Sequence, residues 1–144
     1  MEIQSLKLMV EEGIANQLLA DHAPPDMEVE NLRVQFTPEG VRVLGDTRAM
    51  LFKVSFESLW ELSVAEGNVA ARLNSMKVAG IPATKLRGVL LRMVRDAVSK
   101  MPGIAVEDEV VRVTVGEMLR SRGIPLRVNL TAVRCLEGSV VIEV

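Results

Sequence analysis

Hydrophobic and polar residues follow two different periods along this chain. From Ile81 to Met101 the apolar residues Leu86, Val89, Leu90, Met93, Val94, Ala97, Val98 and Met101 recur at steps of three and four, which lines one face of an α-helix. Between Met27 and Val78 the pattern instead alternates with period two, as half-buried strands do. A second helical stretch, Gln4 to Asp21, carries Leu6, Met9, Val10, Ile14 and Leu18 on one face, with Leu8, Ala15 and Leu19 widening it. It is expected to stop before Pro24-Pro25, because proline restricts the residue before it and cannot continue the hydrogen-bond ladder.

Turn residues divide the alternating region. Thr37-Pro38-Glu39-Gly40 and Ala65-Glu66-Gly67-Asn68 are predicted reversals, and a short strand between them is expected to end at Gly45-Asp46. Met50, Phe52, Val54 and Phe56 share the next strand face, continued past a bend near Glu57 by Trp60, Leu62 and Val64. The parity of the apolar positions changes near Glu30-Asn31 and again between Leu73 and Met76. Such changes mark bulges, and bulged strands curl. Gly80-Ile81-Pro82 breaks the last of these strands, with Thr84 as the predicted N-cap of the central helix. Beyond Pro102-Gly103 come strands over 104–106 and 110–115, a short helix Gly116 to Arg122, a strand through Leu126, Val128, Leu130 and Ala132, and a final hairpin at Glu137-Gly138. The expected fold is α+β: a strongly curved antiparallel sheet wrapped around an N-terminal helix and a longer central helix.

With 144 residues and no linker or repeat, a single domain spanning 1–144 is expected. The hydrophobic share is 49% but aromatics are only 3%, so the interior is built from aliphatic side chains and eight Met. Met fills irregular space adaptably, which suits either a packed core or a deformable ligand surface. A net charge of -2 argues against nucleic acid as a partner. The charge is uneven: residues 1–84 hold 7 Lys/Arg against 12 Asp/Glu, and residues 85–144 hold 10 against 7. On the central helix Lys85, Arg87, Arg92, Arg95 and Lys100 outnumber Asp96, a stripe that fits either a solvated face or contact with anionic lipid headgroups.

Candidate chemistry is sparse. His22 is the single histidine and Cys135 the single cysteine, so neither a His-based metal site nor an intrachain disulfide is available, and no cofactor or metal is expected. Glu107-Asp108-Glu109 reads as a solvated turn, because consecutive residues of an extended segment face opposite ways. No run approaches the ~18 apolar residues needed to span a bilayer. The N-terminal stretch has no basic segment followed by a long apolar run, so a cytoplasmic, membrane-peripheral protein is expected.

The order of features is similar to the bacterial LmeA-like and YpmS-like lipid-binding families of the tubular lipid-binding (TULIP) superfamily. The likeness rests on LKLMVEEGIANQLL, then M-E-V-E-N-L-R-V-Q-F and P-E-G-V-R-V-L-G, then M-K-V-A-G-I-P before the helix. M-P-G-I-A-V-E-D restarts the sheet after it, and E-G-S-V-V-I-E-V closes the chain. The resemblance implies a curved sheet around helices, with an apolar channel that accepts acyl chains, and it carries no catalytic residues. Together with the patterning it suggests non-enzymatic binding of a lipid or other apolar small molecule. The candidate ligand-lining residues are Met9, Ile14, Leu18, Met50, Phe52, Phe56, Trp60, Met76, Leu90, Met93, Val94 and Ala97. Lys85, Arg92 and Arg95 are the candidates for a headgroup or anionic membrane surface. Two alternatives stand beside this: an interaction module or homodimer using the groove or a sheet edge, and an enzyme using Glu57 or Glu61 as a carboxylate base.

Overall fold

The computed structural model describes residues 7–22, 29–49, 52–79, 81–82, 87–99, 102–125 and 128–144. The elements run β1 (Lys7–Glu11), α1 (Glu12–His22), β2 (Val29–Thr37), β3 (Gly40–Ala49), β4 (Phe52–Ala65), β5 (Asn68–Val78), β6 (Ile81–Pro82), α2 (Arg87–Val98), β7 (Ile104–Glu107), β8 (Val110–Val113), α3 (Val115–Ser121), β9 (Ala132–Leu136) and β10 (Ser139–Glu143). The fold is α+β with antiparallel sheets. The larger sheet has the order β2-β3-β4-β5-β8-β7, with β6 pairing β5 beside β8, and a separate three-stranded sheet has the order β1-β10-β9.

The larger sheet follows from local patterning. Two transverse rows cross it: Phe36, Val41, Trp60 and Leu73 lie side by side on β2 to β5, and so do Val34, Val43, Ser58 and Met76. All but Ser58 are apolar, so the inner face demands cover. The Glu66-Gly67 hairpin has both residues at positive φ, 54° and 78°, the geometry that matches the twist of the flanking strands. A side chain at Gly67 would also collide with Asn129, which sits where the segment before β9 crosses this turn. Both expected parity changes are present. The β2–β3 register shifts between Glu30 and Arg33 with Asn31 at φ 54°, and Asn74 is the extra residue of β5 where the β4–β5 register shifts.

Several expectations need correction. Lys7–Glu11 is a strand rather than the start of the first helix, because Leu8 and Val10 find Ile142 and Val140 across a ladder, and tertiary pairing overrides local helical preference. β3 does not end at Gly45-Asp46 but runs to Ala49, with Gly45 opposite Phe56, a place where a strand glycine leaves room for a large neighbour. Of the central helix the described part is Arg87–Val98, and Ile81–Pro82 adds a short strand to β5. The predicted Thr84 cap lies outside the described residues. The strand entering the last hairpin is Ala132–Leu136, and the expected strand residues Val128 and Leu130 precede it, since Leu130 N–H is taken by Gly67 C=O and Thr131 N–H by Glu143 C=O before the ladder starts. Leu126 lies outside the described residues.

α1 is placed by polar side chains. Along the outer edge of β2, Asn16 pairs with Val34 as a neighbouring peptide would, its Oδ1 accepting Val34 N–H at 2.8 Å and its Nδ2 donating to Val34 C=O at 3.0 Å. Glu12 Oε1 accepts Phe36 N–H at 2.7 Å, and Gly138 N–H donates to Phe36 C=O at 3.0 Å. At Val34 and Phe36 the edge that would otherwise present unpaired peptide groups is thereby filled. Replacing Asn16 with Ala should cost about 1–2 kcal/mol, because it strips both partners from a half-buried peptide. Urea denaturation of N16A against the parent measures this, and an unchanged midpoint would contradict the role given to Asn16.

Candidate functional site

On β4 the side chains alternate sharply. Phe56, Ser58 and Trp60 are buried, whereas Lys53, Ser55, Glu61 and Ser63 are exposed. The buried set meets Leu73 and Met76 of β5 and Leu90 of α2 in one cluster, bordered by Leu32, Val41, Val43, Ala71, Val78, Leu91, Val94 and Val111. α2 is an amphipathic helix that lays Leu90, Leu91 and Val94 on this face and leaves Arg92 and Arg95 in solvent.

Ser58, 1% exposed, is the one buried polar side chain among the described residues. Its hydroxyl accepts the Trp60 indole N–H at 2.9 Å and donates to Val43 C=O at 3.2 Å. Two residues apart on one strand, Ser58 and Trp60 necessarily share a face, so the pairing follows from the pleat. Among the described residues no buried side-chain polar atom lacks a hydrogen-bond partner.

Arg87, in the first turn of α2, is the residue that patterning undervalued. Among the described residues β8 pairs β5 only at Val69–Arg72 and β6 only at Lys77 and Val78, which leaves the bulge between them without a described strand partner on that side. Arg87 fills the gap. Its Nη2 donates to Leu73 C=O at 2.8 Å, its Nη1 to Asn74 C=O at 3.2 Å, and its Nε and Nη2 grip the Glu109 carboxylate at 3.0 and 2.9 Å. Glu109 in turn accepts Leu73 N–H through its own carbonyl at 3.0 Å. The planar guanidinium fork suits such a two-sided task. Arg87 is thus withdrawn from the basic stripe. Its Coulombic and hydrogen-bonding partner, Glu109, is withdrawn from the acidic turn, of which Glu107 is paired with Arg112 at 3.8 Å.

The candidate ligand residues divide into three groups. Phe56, Trp60, Met76, Leu90 and Val94 come together in the cluster. Met9 and Ile14, expected inward, are instead 58% and 53% exposed. Met9 lies on β1, and α1 is rotated so that Glu12 and Asn16 reach β2, which turns Ile14 outward. Met50 and Lys85 lie outside the described residues, and so do the side chains of Leu18, Phe52, Met93 and Ala97, of which only the backbone position on α1, β4 and α2 is described. The carboxylates of the enzyme reading sit away from the apolar trough: Glu57 pairs with Arg42, and exposed Glu61 accepts Asn74 Nδ2 at 3.0 Å.

Among the described residues no group of three His, Cys, Asp or Glu could hold a metal ion. Cys135 is half-buried, and burial pushes its thiol above the usual range. No described helix is long and apolar enough to cross a membrane. Compared with protein-family models and with curated proteins, the sequence matches none.

Two carboxylates stand below their ordinary range. Hydrogen bonding from Arg87 lowers Glu109, and hydrogen bonds from Asn31 and then Ser55 lower Asp46. Each folded-state value lies below the unfolded one. The stability each contributes is present above the ordinary carboxylate range, near pH 4, and is lost as pH falls through the folded value. Glu109→Gln is expected to lower stability at pH 7 and to flatten its decline between about pH 5 and pH 2. Thermal unfolding of parent and variant across that range measures the effect. Parallel acid limbs for the two would contradict it.

Proposed function

We propose that this chain is a non-enzymatic binding protein for a lipid or another apolar small molecule, held between α2 and the inner face of β3, β4 and β5. In this reading the arrangement is TULIP-like, with the larger sheet strongly curved around α1 and α2. The observation that carries the proposal is the chemistry of the interior. Its sole described buried polar side chain, Ser58, is already committed to Trp60 and Val43, so an occupant is recognised by apolar contact alone. α2 supports the reading in a second way. Polar contacts secure its first turn through Arg87, whereas Leu90, Leu91 and Val94 further along rest on the sheet by apolar contact. An acyl chain can replace contacts of that kind without leaving a buried polar group unpaired. Arg92 and Arg95, exposed on the outer side of α2, supply positive charge for an anionic headgroup or membrane surface.

A second reading has its own observation. The large apolar side chains of Leu8, Met9, Ile14 and Leu136 are exposed on β1, α1 and β9, as an interaction module for a partner chain or a second copy would require.

The binding proposal predicts that oleate or phospholipid changes the emission of Trp60, the lone tryptophan. An organic-solvent extract of the purified protein should contain lipid by mass spectrometry, and Arg92→Glu with Arg95→Glu should weaken attachment to anionic vesicles in a protein that stays folded. A Trp60 signal indifferent to every lipid, with an extract free of lipid, would sink the proposal.

A further inference from the structure

β1 is an outer strand of the three-stranded sheet, and among the described residues its ladder is with β10 alone. The bond from Glu12 N–H to Gly138 C=O, 2.9 Å, sets the phase of that ladder. Peptide groups alternate in direction along an antiparallel pair. Leu8 and Val10 therefore turn theirs toward Ile142 and Val140, while Lys7, Met9 and Glu11 turn theirs outward. The outer edge thus offers a row of N–H and C=O groups flanked by Leu8, 50% exposed, and Met9, 58% exposed. β2, by contrast, has its outer edge filled by Asn16 and Glu12. Edges are commonly defended by charge, and here the charges are Lys7 at one end, which also lies 3.9 Å from Glu143 of its own chain, and Glu11 at the other, both exposed.

We propose that β1 pairs antiparallel with β1 of a second copy of this chain, about a two-fold axis at Met9. The inference rests on the interaction reading of the exposed β1 side chains, and it names their partner. Of the registers that match outward peptide groups with outward peptide groups, this one uses all five residues of the strand. It sets Lys7 opposite Glu11 of the partner subunit, Leu8 opposite Val10 of the partner subunit, and Met9 opposite Met9 of the partner subunit. Lys7 and Glu11 share a face of β1, so the paired charges of the two copies also meet on one face. A parallel arrangement would instead bring like charges together. Because the contact is isologous and each copy has a single β1, association closes at a dimer and does not propagate into a fibre.

Sedimentation velocity on the full chain over a range of concentrations tests this, with circular dichroism confirming that each variant is folded. The parent is expected to dimerise. Glu11→Lys, which sets Lys against Lys, should raise the dissociation constant by about tenfold or more. Met9→Pro removes an outward N–H without touching the β10 ladder and should act in the same direction. Lys7→Glu combined with Glu11→Lys restores opposite charges and should restore the dimer. A parent that stays monomeric at every concentration overturns both the dimer and self-association as such. A dimer unmoved by Glu11→Lys and Met9→Pro, or a charge-exchanged double variant that is folded and monomeric, overturns the β1 register and leaves the broader interaction reading standing.

Discussion

The structure depends on keeping α2 seated against an inner sheet face that has almost no polar group of its own. Apolar contact supplies the attraction but not the position, since hydrophobic burial has no direction. Arg87 supplies the position. Its guanidinium enters the stretch of β5 between β8 and β6 that has no strand partner among the described residues, and it ties Leu73 and Asn74 to Glu109. Leu73 is 1% exposed, so the carbonyl that Arg87 grips belongs to the most deeply buried apolar residue of the cluster. The bulge, the turn before β8 and the start of α2 thus share one hydrogen-bonded knot. Leu90, Leu91 and Val94 follow onto the sheet because their helix begins there.

A similar economy governs the sheet edges. α1 looks amphipathic, yet the side it turns to β2 is led by Glu12 and Asn16, which complete a strand edge with side-chain atoms. Satisfying peptide groups outranked burying Ile14, because an unpaired half-buried peptide costs more than one exposed aliphatic side chain. Gly138 N–H reaches Phe36 C=O from the β9–β10 turn, so the same edge also joins the two sheets. β1 receives no such covering from the described residues. Its exposed Leu8 and Met9 follow from that difference.

Features legible in the sequence were those set by neighbours in the chain. The Thr37–Gly40 and Ala65–Asn68 reversals, both bulges and the α+β class follow from turn residues and side-chain parity. So does the placing of Phe56 and Trp60 on one face of β4. Features set by distant partners were not legible. Lys7–Glu11 fits a helix as well as a strand until Ser139–Glu143 is laid beside it. Arg87 looks like one more surface cation and Glu109 like one more solvated acid, because each is ordinary without the other. Asn16 has no local signature for pairing with Val34, eighteen residues away. For the candidate site, periodicity identified which side chains share a face, but not the rotation of α1 that turned Ile14 away.

Arg87 holds α2 in register over Trp60, and the emission of that single tryptophan, followed with urea denaturation in Arg87→Ala and Arg87→Lys, tests it. If the fork matters, both variants should lower stability and shift Trp60 emission to longer wavelength as α2 loosens from the sheet. Lys should rescue little, because it keeps the charge but lacks the planar donors. If Arg87→Ala keeps the parent's emission and denaturation midpoint, Arg87 does not position α2.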